Sequence, residues 1–244
     1  MKSFKTETEQ SVGKAVESIF VNCSDSIETK LENFPKYVRR QHLKRFLAMY
    51  EIFKLVLPVK GSIVECGVFR GFSVMAWAKL STILEPENLT RRIYAFDTFS
   101  GFPSVNENDL AGAGIAEPGD FNTSSYDELQ ALLKVYDQDR FLGHIPKVQL
   151  IPGDAAQTIP PFVQQNSQLL VSLLFLDFDL YEPTKVALEQ LVPRMPKGAV
   201  LAFDELDNPI WPGETHALLN TLSVGRLRIQ RVEWDPYIGY AVLE

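Results

Sequence analysis

Cysteine is scarce in this chain of 244 residues: only Cys23 and Cys66 are present, too few for a disulfide framework. Cys66 falls inside the apolar run "SIVECGV", where a buried, unreactive thiol is expected. Long apolar runs are missing too. No stretch approaches the roughly 20 apolar residues of a bilayer-spanning helix, and the opening "MKSFKTETEQSVGK" has no apolar core of a signal peptide. The expectation is a cytoplasmic protein with no membrane partner. Basic residues are in the minority, 24 Lys and Arg against 31 Asp and Glu, for a net charge of −7. A sequence-independent grip on nucleic acid needs a basic face that displaces counterions, so no nucleic-acid partner is expected. Internal repeats and low-complexity tracts are absent, which excludes solenoids and linker arrays.

What remains is an ordinary globular composition, 45% hydrophobic and 23% charged, enough for one domain with a substantial core. Residues 36 to 57, "KYVRRQHLKRFLAMYEIFKLVL", place Val38, Leu43, Phe46, Leu47, Tyr50, Phe53 and Leu57 at spacings of three and four, which predicts an amphipathic helix ended by Pro58 and Gly61. Residues 1–57 form an N-terminal helical region, expected as a lid packed on the core, and 58–244 form the main body. There, "SIVECGV", "RIYAFDT", "KVQLIPGD", "LLVSLLFLDFD" and "AVLAFDEL" read as strands alternating with helical stretches. Strands so continuously apolar are buried on both faces, which predicts an α/β fold with a mainly parallel sheet. "RLRIQRVEW" and "IGYAVLE" lie too close for a crossover and predict a C-terminal antiparallel hairpin. Residues 99 to 125 form a long Gly, Pro, Asn and Ser-rich connection, the usual make-up of a lid or binding loop.

Ligands of open parallel sheets bind beyond the carboxyl ends of the strands. Those ends carry Glu65, Gly67 and Gly71, then Asp97, then Gly153 and Asp154, then Asp177 and Asp179, then Asp204 and Glu205. Asp97 suits the two hydroxyls of a ribose; alternatively it caps the turn "DTFSG". The turn "GVFRGF" lacks the G-x-G-x-x-G spacing of a diphosphate nest. Glu65 would repel a phosphate and suit an ammonium group. An ammonium beside a ribose points to S-adenosylmethionine.

The ordered set "VECGVFRGFS", "YAFDTFSGFP", "IPGDAAQTIP" and "LFLDFDLYEPTKVALEQLVPRMPKGAVLAFDEL" resembles the macrocin O-methyltransferase (TylF-type) family of class I S-adenosylmethionine-dependent enzymes. Within it, the chain is most similar to the dTDP-6-deoxy-L-hexose 3-O-methyltransferases. The resemblance spans roughly residues 34 to 244. It implies a Rossmann-like, seven-stranded, mostly parallel sheet with an antiparallel C-terminal strand and helices on both faces, and cofactor contacts near Glu65, Gly67, Asp97 and Asp154. It also implies a divalent metal at the ends of the fourth and fifth strands, a nucleotide-sugar or glycoside substrate, and a homo-oligomer. The family often has two consecutive aspartates after the fifth strand; here they are Asp204 and Glu205.

Asp177 and Asp179 share a face if the strand continues through them, and like charges brought together call for a cation. Asp177, Asp204 and Glu205 supply hard oxygen donors for Mg²⁺ or another divalent ion. The alternative makes Asp177 the salt-bridge partner of an arginine and Glu205 a solvated loop acid. Asp179 and Asp177 rank first as the base that takes a sugar hydroxyl proton, and His216 second. His42 and His144 have no comparable context. Lys36, Arg39, Arg40, Lys44 and Arg45, with Arg70, Arg91 and Arg92, are candidate diphosphate partners; for the helix residues, a solvated face is the equal alternative. Phe69, Phe99, Phe102, Tyr181 and Trp211 could wall the site, and Trp211, between prolines in a polar loop, is expected to shape an acceptor pocket rather than join a core. A nicotinamide-dependent oxidoreductase on a similar sheet is the alternative from another enzyme class, disfavoured by the glycine spacing.

Overall fold

The computed structural model describes residues 6–110 and 116–244; part of the predicted loop, 111–115, and the first five residues lie outside. Its helices are α1 (Glu7–Asn22), α2 (Ile27–Glu32), α3 (Arg40–Val56), α4 (Phe72–Leu84), α5 (Tyr126–Gln138), α6 (Ala155–Gln165), α7 (Tyr181–Leu191) and α8 (Gly213–Thr221). Its strands are β1 (Ser62–Cys66), β2 (Ile93–Asp97), β3 (Val148–Pro152), β4 (Val171–Leu176), β5 (Val200–Phe203), β6 (Gln230–Arg231) and β7 (Gly239–Val242).

The chain divides into two compact units, one ending at Leu47 and one running from Ala48 to Glu244. The division falls inside α3, ahead of the residue-57 boundary expected from sequence. In the first unit, Ser26 caps α2 by accepting from the Thr29 amide at 3.1 Å, the usual satisfaction of an orphan N–H at a helix start. The helix predicted from residue 36 begins at Arg40. Pro35 sits instead in a separate 3-10 turn, Phe34–Lys36, and its fixed φ starts that turn afresh. Phe20 packs edge-on against Tyr37, with ring centroids 4.9 Å apart.

The second unit holds a seven-stranded sheet of order β3-β2-β1-β4-β5-β7-β6. The first five strands run parallel, β7 lies antiparallel to β5, and β6 antiparallel to β7. β1 and β4 are buried along their whole lengths, as their largely apolar runs lead one to expect, and they take Ser62, Glu65 and Ser172 into the interior with them. Alternation along β4 sends neighbours to opposite faces. Leu174 and Leu176 join a buried cluster with Ile159 and Phe162 of α6, Leu188 and Leu191 of α7, and Leu218 of α8. Phe175 goes the other way onto Trp77 of α4, 5.6 Å between centroids, and Trp77 stacks in turn on Phe53 of α3. Helices therefore cover both faces. Burying each of these large side chains contributes about 1.5 to 3 kcal/mol. No described helix is long and apolar enough to cross a membrane.

Candidate active site

Two corners form at the carboxyl rim of the sheet. The first is built on the turn from β1 to α4. Gly67 has φ +98°, and a Cβ there would stand 1.9 Å from the Asp177 carbonyl oxygen, so only glycine lets β1 pass so close to the end of β4. Gly71, at φ +85°, caps α4. Asp97, the last residue of β2, ties the turn down: its Oδ2 accepts from the amides of Val68 at 2.7 Å and Phe69 at 2.9 Å, and its Oδ1 accepts from Phe99 at 2.6 Å. The turn-capping alternative is thus realised, and across the β1–α4 turn as well as its own. A carboxylate offers about four acceptor sites, and three backbone amides leave little room for a bidentate ribose. Phe69 and Phe99, both held by Asp97, have positive φ of 51° and 55°, a region bulky residues rarely visit.

The other members of this corner are more structural than their positions suggested. Glu65 is fully buried and accepts from the Ser73 hydroxyl of α4 at 2.5 Å; it presents no surface to solvent. Asp154 is the N-cap of α6, accepting from Ala156 N at 2.9 Å. Gly153, at φ +127°, donates its N–H to the Asp97 carbonyl at 2.9 Å, so β2 and β3 end together.

The second corner gathers the remaining acids. β4 stops at Leu176, so the shared face expected for Asp177 and Asp179 does not arise. Asp177 N still bonds to Cys66 O at 2.7 Å, but Asp179 adopts φ +61°, and a left-handed residue breaks the period of two. Asp204 follows β5 and is buried; Glu205 accepts from the Asn208 side-chain amide. Glu214, in the first turn of α8, was not singled out from the sequence. It is fully buried, and its Oε1 accepts from Phe178 N at 2.9 Å and Asp179 N at 3.3 Å while its Oε2 accepts from Glu205 N at 3.4 Å. Burial above all, then the charges of Asp179 and Asp204, push its carboxyl well above the usual range, against the backbone hydrogen bond from Asp179. The one available signal was an acid in a helix's first turn, two residues before His216.

The long loop reaches this corner. Asp109 is buried, its Oδ1 accepting from Tyr181 N at 2.6 Å, and burial raises its carboxyl. His216 Nδ1 lies 2.9 Å from the Asn108 carbonyl. That oxygen can only accept, so the neutral ring carries its proton on Nδ1 and keeps Nε2 as an acceptor. Trp211 is half-buried and packs against aromatic residues of the long loop. It meets Phe102 and Phe121 of the loop edge-on at 6.0 and 5.5 Å, and Phe121 meets Phe69 of the glycine turn at 5.6 Å. Tyr181 is buried and belongs to the core.

With this arrangement of corners, the macrocin-O-methyltransferase (TylF) family profile matches residues 38–218. The chain belongs to that family. It is 28% identical over 148 residues to the 8-demethyl-8-(2,3-dimethoxy-alpha-L-rhamnosyl)-tetracenomycin-C 4'-O-methyltransferase of Streptomyces olivaceus, a match over 60% of this chain and 53% of that protein. It is 27% identical over 151 residues to the demethyldecarbamoylnovobiocin O-methyltransferase of Streptomyces niveus, with the same coverage of both. The chain thus spans about half the length of the curated relatives it matches. Among solved structures, CalS11, described as a calicheamicin methyltransferase, superposes with a TM-score of 0.94 at 34% identity, over 98% of this chain and 94% of that one. The apo form of CalS11, described as a TDP-rhamnose 3'-O-methyltransferase, gives 0.85 at 31%, over 98% and 96%. The O-methyltransferase NovP shares the fold at 0.65 and 22%, over 82% and 79%.

For this TylF-family chain, two of the expected cationic partners are structural. Arg91 is buried, pairs with Glu85 at 2.8 Å, and donates to the carbonyls of Val56, Val59 and Gly61, all at the amino ends of the strands. Arg92 donates to Pro146 O at the same end. An arginine on that rim cannot serve a ligand on the other. Arg70, in the glycine turn and 5.5 Å from the Phe69 ring, stands on the correct rim. Among the described residues, no three His, Cys, Asp or Glu side chains already stand together as a metal-binding group.

Proposed function

We propose that the chain is an S-adenosylmethionine-dependent O-methyltransferase that methylates a hydroxyl, the 3-OH, of a nucleotide-linked 6-deoxyhexose such as dTDP-rhamnose. The observation that carries this reading is the likeness to CalS11 over nearly the whole of both chains. The two-cornered rim supports it chemically. S-adenosylmethionine, when bound, supplies an activated sulfonium methyl group, so the residues need only place an oxygen in line with it and take the oxygen's proton. In this reading Gly67, Gly71, Asp97, Gly153, Asp154 and, from beneath, Glu65 shape the cofactor corner. Asp179 and Asp177 are the first candidates to accept the hydroxyl proton. His216 is the second, and its Nε2 is set as an acceptor by the Nδ1 contact with Asn108.

A divalent cation fits the second corner by charge and donor type. Asp177, Asp204 and Glu205 would hold it; the carboxyl of Glu214 beside them is raised first by burial and then by the charges of Asp179 and Asp204, and a cation would offset that second, smaller part. Bound, such an ion lowers the proton affinity of a coordinated hydroxyl. No ready-made cage of three such side chains exists among the described residues. A second reading takes a sugar already attached to a natural product as acceptor, and the rhamnosyl group in the name of the Streptomyces olivaceus relative favours it.

The test is methyl transfer from S-adenosylmethionine to dTDP-rhamnose and, in parallel, to a rhamnosyl glycoside, each with and without a chelator. The proposal expects product from the sugar nucleotide and loss of turnover on chelation, restored by Mg²⁺. Transfer to the glycoside alone replaces the first reading with the second, and turnover indifferent to chelation removes the metal.

A further inference from the structure

We propose that Glu214 is the positioning residue of the acid rim, the side chain that fixes the backbone from which Asp179 and Glu205 project. The inference rests on reading that rim as the place of methyl transfer, but its evidence is independent hydrogen-bond geometry. After Asp177, whose N–H still reaches Cys66 O of β1, the turn between β4 and α7 leaves the sheet ladder, and its amides must be satisfied from elsewhere. Glu214 takes two of them, Phe178 N at 2.9 Å and Asp179 N at 3.3 Å, on one oxygen. Its other oxygen reaches Glu205 N at 3.4 Å. One buried side chain therefore bridges the ends of two neighbouring strands, and each end carries proposed functional acids.

The bridge has work to do because Asp179 is left-handed, at φ +61°, and such a conformation persists only where its surroundings over-determine it. The surroundings supply three holds. Glu214 accepts from the Asp179 amide, Asp109 accepts from Tyr181 N at the start of α7, and Gly213 lets α8 come close. A Cβ on Gly213 would stand 2.5 Å from Asp179 O and 2.6 Å from Asp109 Oδ1. Of the three, only Glu214 also touches the β5 end. An amide in its place keeps one carbonyl oxygen for Phe178 and Asp179, but turns an N–H towards the Glu205 amide, which cannot accept it.

The experiment compares the wild type with Glu214→Ala, Glu214→Gln and Leu218→Ala, the last a core change in the same helix. It follows amide hydrogen exchange at residues 178, 179 and 205, cofactor affinity by calorimetry, and kcat and KM with dTDP-rhamnose. Glu214→Ala is expected to speed exchange at all three amides by about tenfold or more. Its kcat is expected to fall about 100-fold, with the S-adenosylmethionine Kd within about threefold of wild type. Glu214→Gln keeps slow exchange at Phe178 and Asp179, loses it at Glu205, and recovers most of kcat. Leu218→Ala lowers Tm and leaves the exchange pattern at the three amides as in the wild type. Unchanged exchange at residues 178 and 179 in Glu214→Ala overturns the proposal, as does an equal kcat loss in Leu218→Ala. If Glu214→Ala does not fold, uniform exchange changes in Glu214→Gln, with Phe178 and Asp179 as fast as Glu205, overturn it instead. A wild-type protein that methylates no sugar defeats the functional reading, while the exchange pattern still decides the role of Glu214.

Discussion

Asp97 ties the glycine turn to the end of β2, in the proposed cofactor corner, through three backbone amides. Replacing it with alanine leaves those donors without an acceptor, at about 1 to 3 kcal/mol for each that stays dry. Asp97→Ala should therefore lower unfolding free energy by a few kcal/mol in urea and weaken S-adenosylmethionine binding about 100-fold by calorimetry; unchanged affinity would separate the turn from the cofactor. A second residue-scale outcome concerns Lys147, whose burial, more than the nearby arginines, lowers its pKa to about 8. Its folded value lies below its unfolded one, so the unfolded chain holds more protons between about pH 8 and 10.5. Stability owed to this group thus rises with pH across that window, and the cost of burying the charge is complete below it. The stability of the wild type relative to Lys147→Met should then be level below about pH 8 and rise from there to pH 10.5 in chemical denaturation; a difference constant across that window would contradict this. Much at this scale was legible, because acids at strand ends are visible as letters. Glu214 was not singled out, and Arg91 stood among open candidates for a diphosphate partner, because burial and the rim a side chain faces depend on packing that no local pattern encodes.

At the scale of elements, the strands, the order of the α/β pattern and the C-terminal hairpin followed from apolar runs and turn residues. Their ends did not. The reading carried β4 through Asp179, whereas it stops at Leu176, since a left-handed residue leaves no trace in a pattern of alternating polarity. The long connection was legible as a loop from its composition, but its attachment was not. Phe102 and Phe121 seat the loop against Trp211, and Asn108 and Asp109 seat it against His216 and the start of α7. Each aromatic pair contributes about 0.5 to 1.5 kcal/mol beyond area burial. Trp211→Ala should loosen the loop without unsettling the sheet: proteolysis within residues 99 to 125 speeds up about tenfold, the KM for the sugar acceptor rises, and the urea midpoint moves little. A protected loop with raised KM would make Trp211 a direct substrate contact rather than a clasp.

For the whole molecule, the parallel sheet concentrates strand-end acids on a single rim and puts the structural arginine, Arg91, at the opposite one. The ordered motifs, more than any one of them, made the family legible before the structure, and residues 38–218 match its profile. The sequence could not show that the two rim corners meet where Gly67 packs against Asp177, or that Glu214 ties the ends of β4 and β5 together within the second, because those contacts link residues far apart in the chain. The claim that unites these observations is that a methyl group passes from the first corner to a sugar oxygen held at the second. The most direct measurement is a single-turnover transfer of isotopically labelled methyl from S-adenosylmethionine to dTDP-rhamnose, with the product's position read by NMR. The account predicts one labelled O-methyl group, on the 3-hydroxyl, in the wild type and its loss in Asp179→Ala with cofactor binding intact. No transfer despite tight cofactor binding would contradict it, and label transferred equally well by Asp179→Ala would pass the proton to Asp177 or His216.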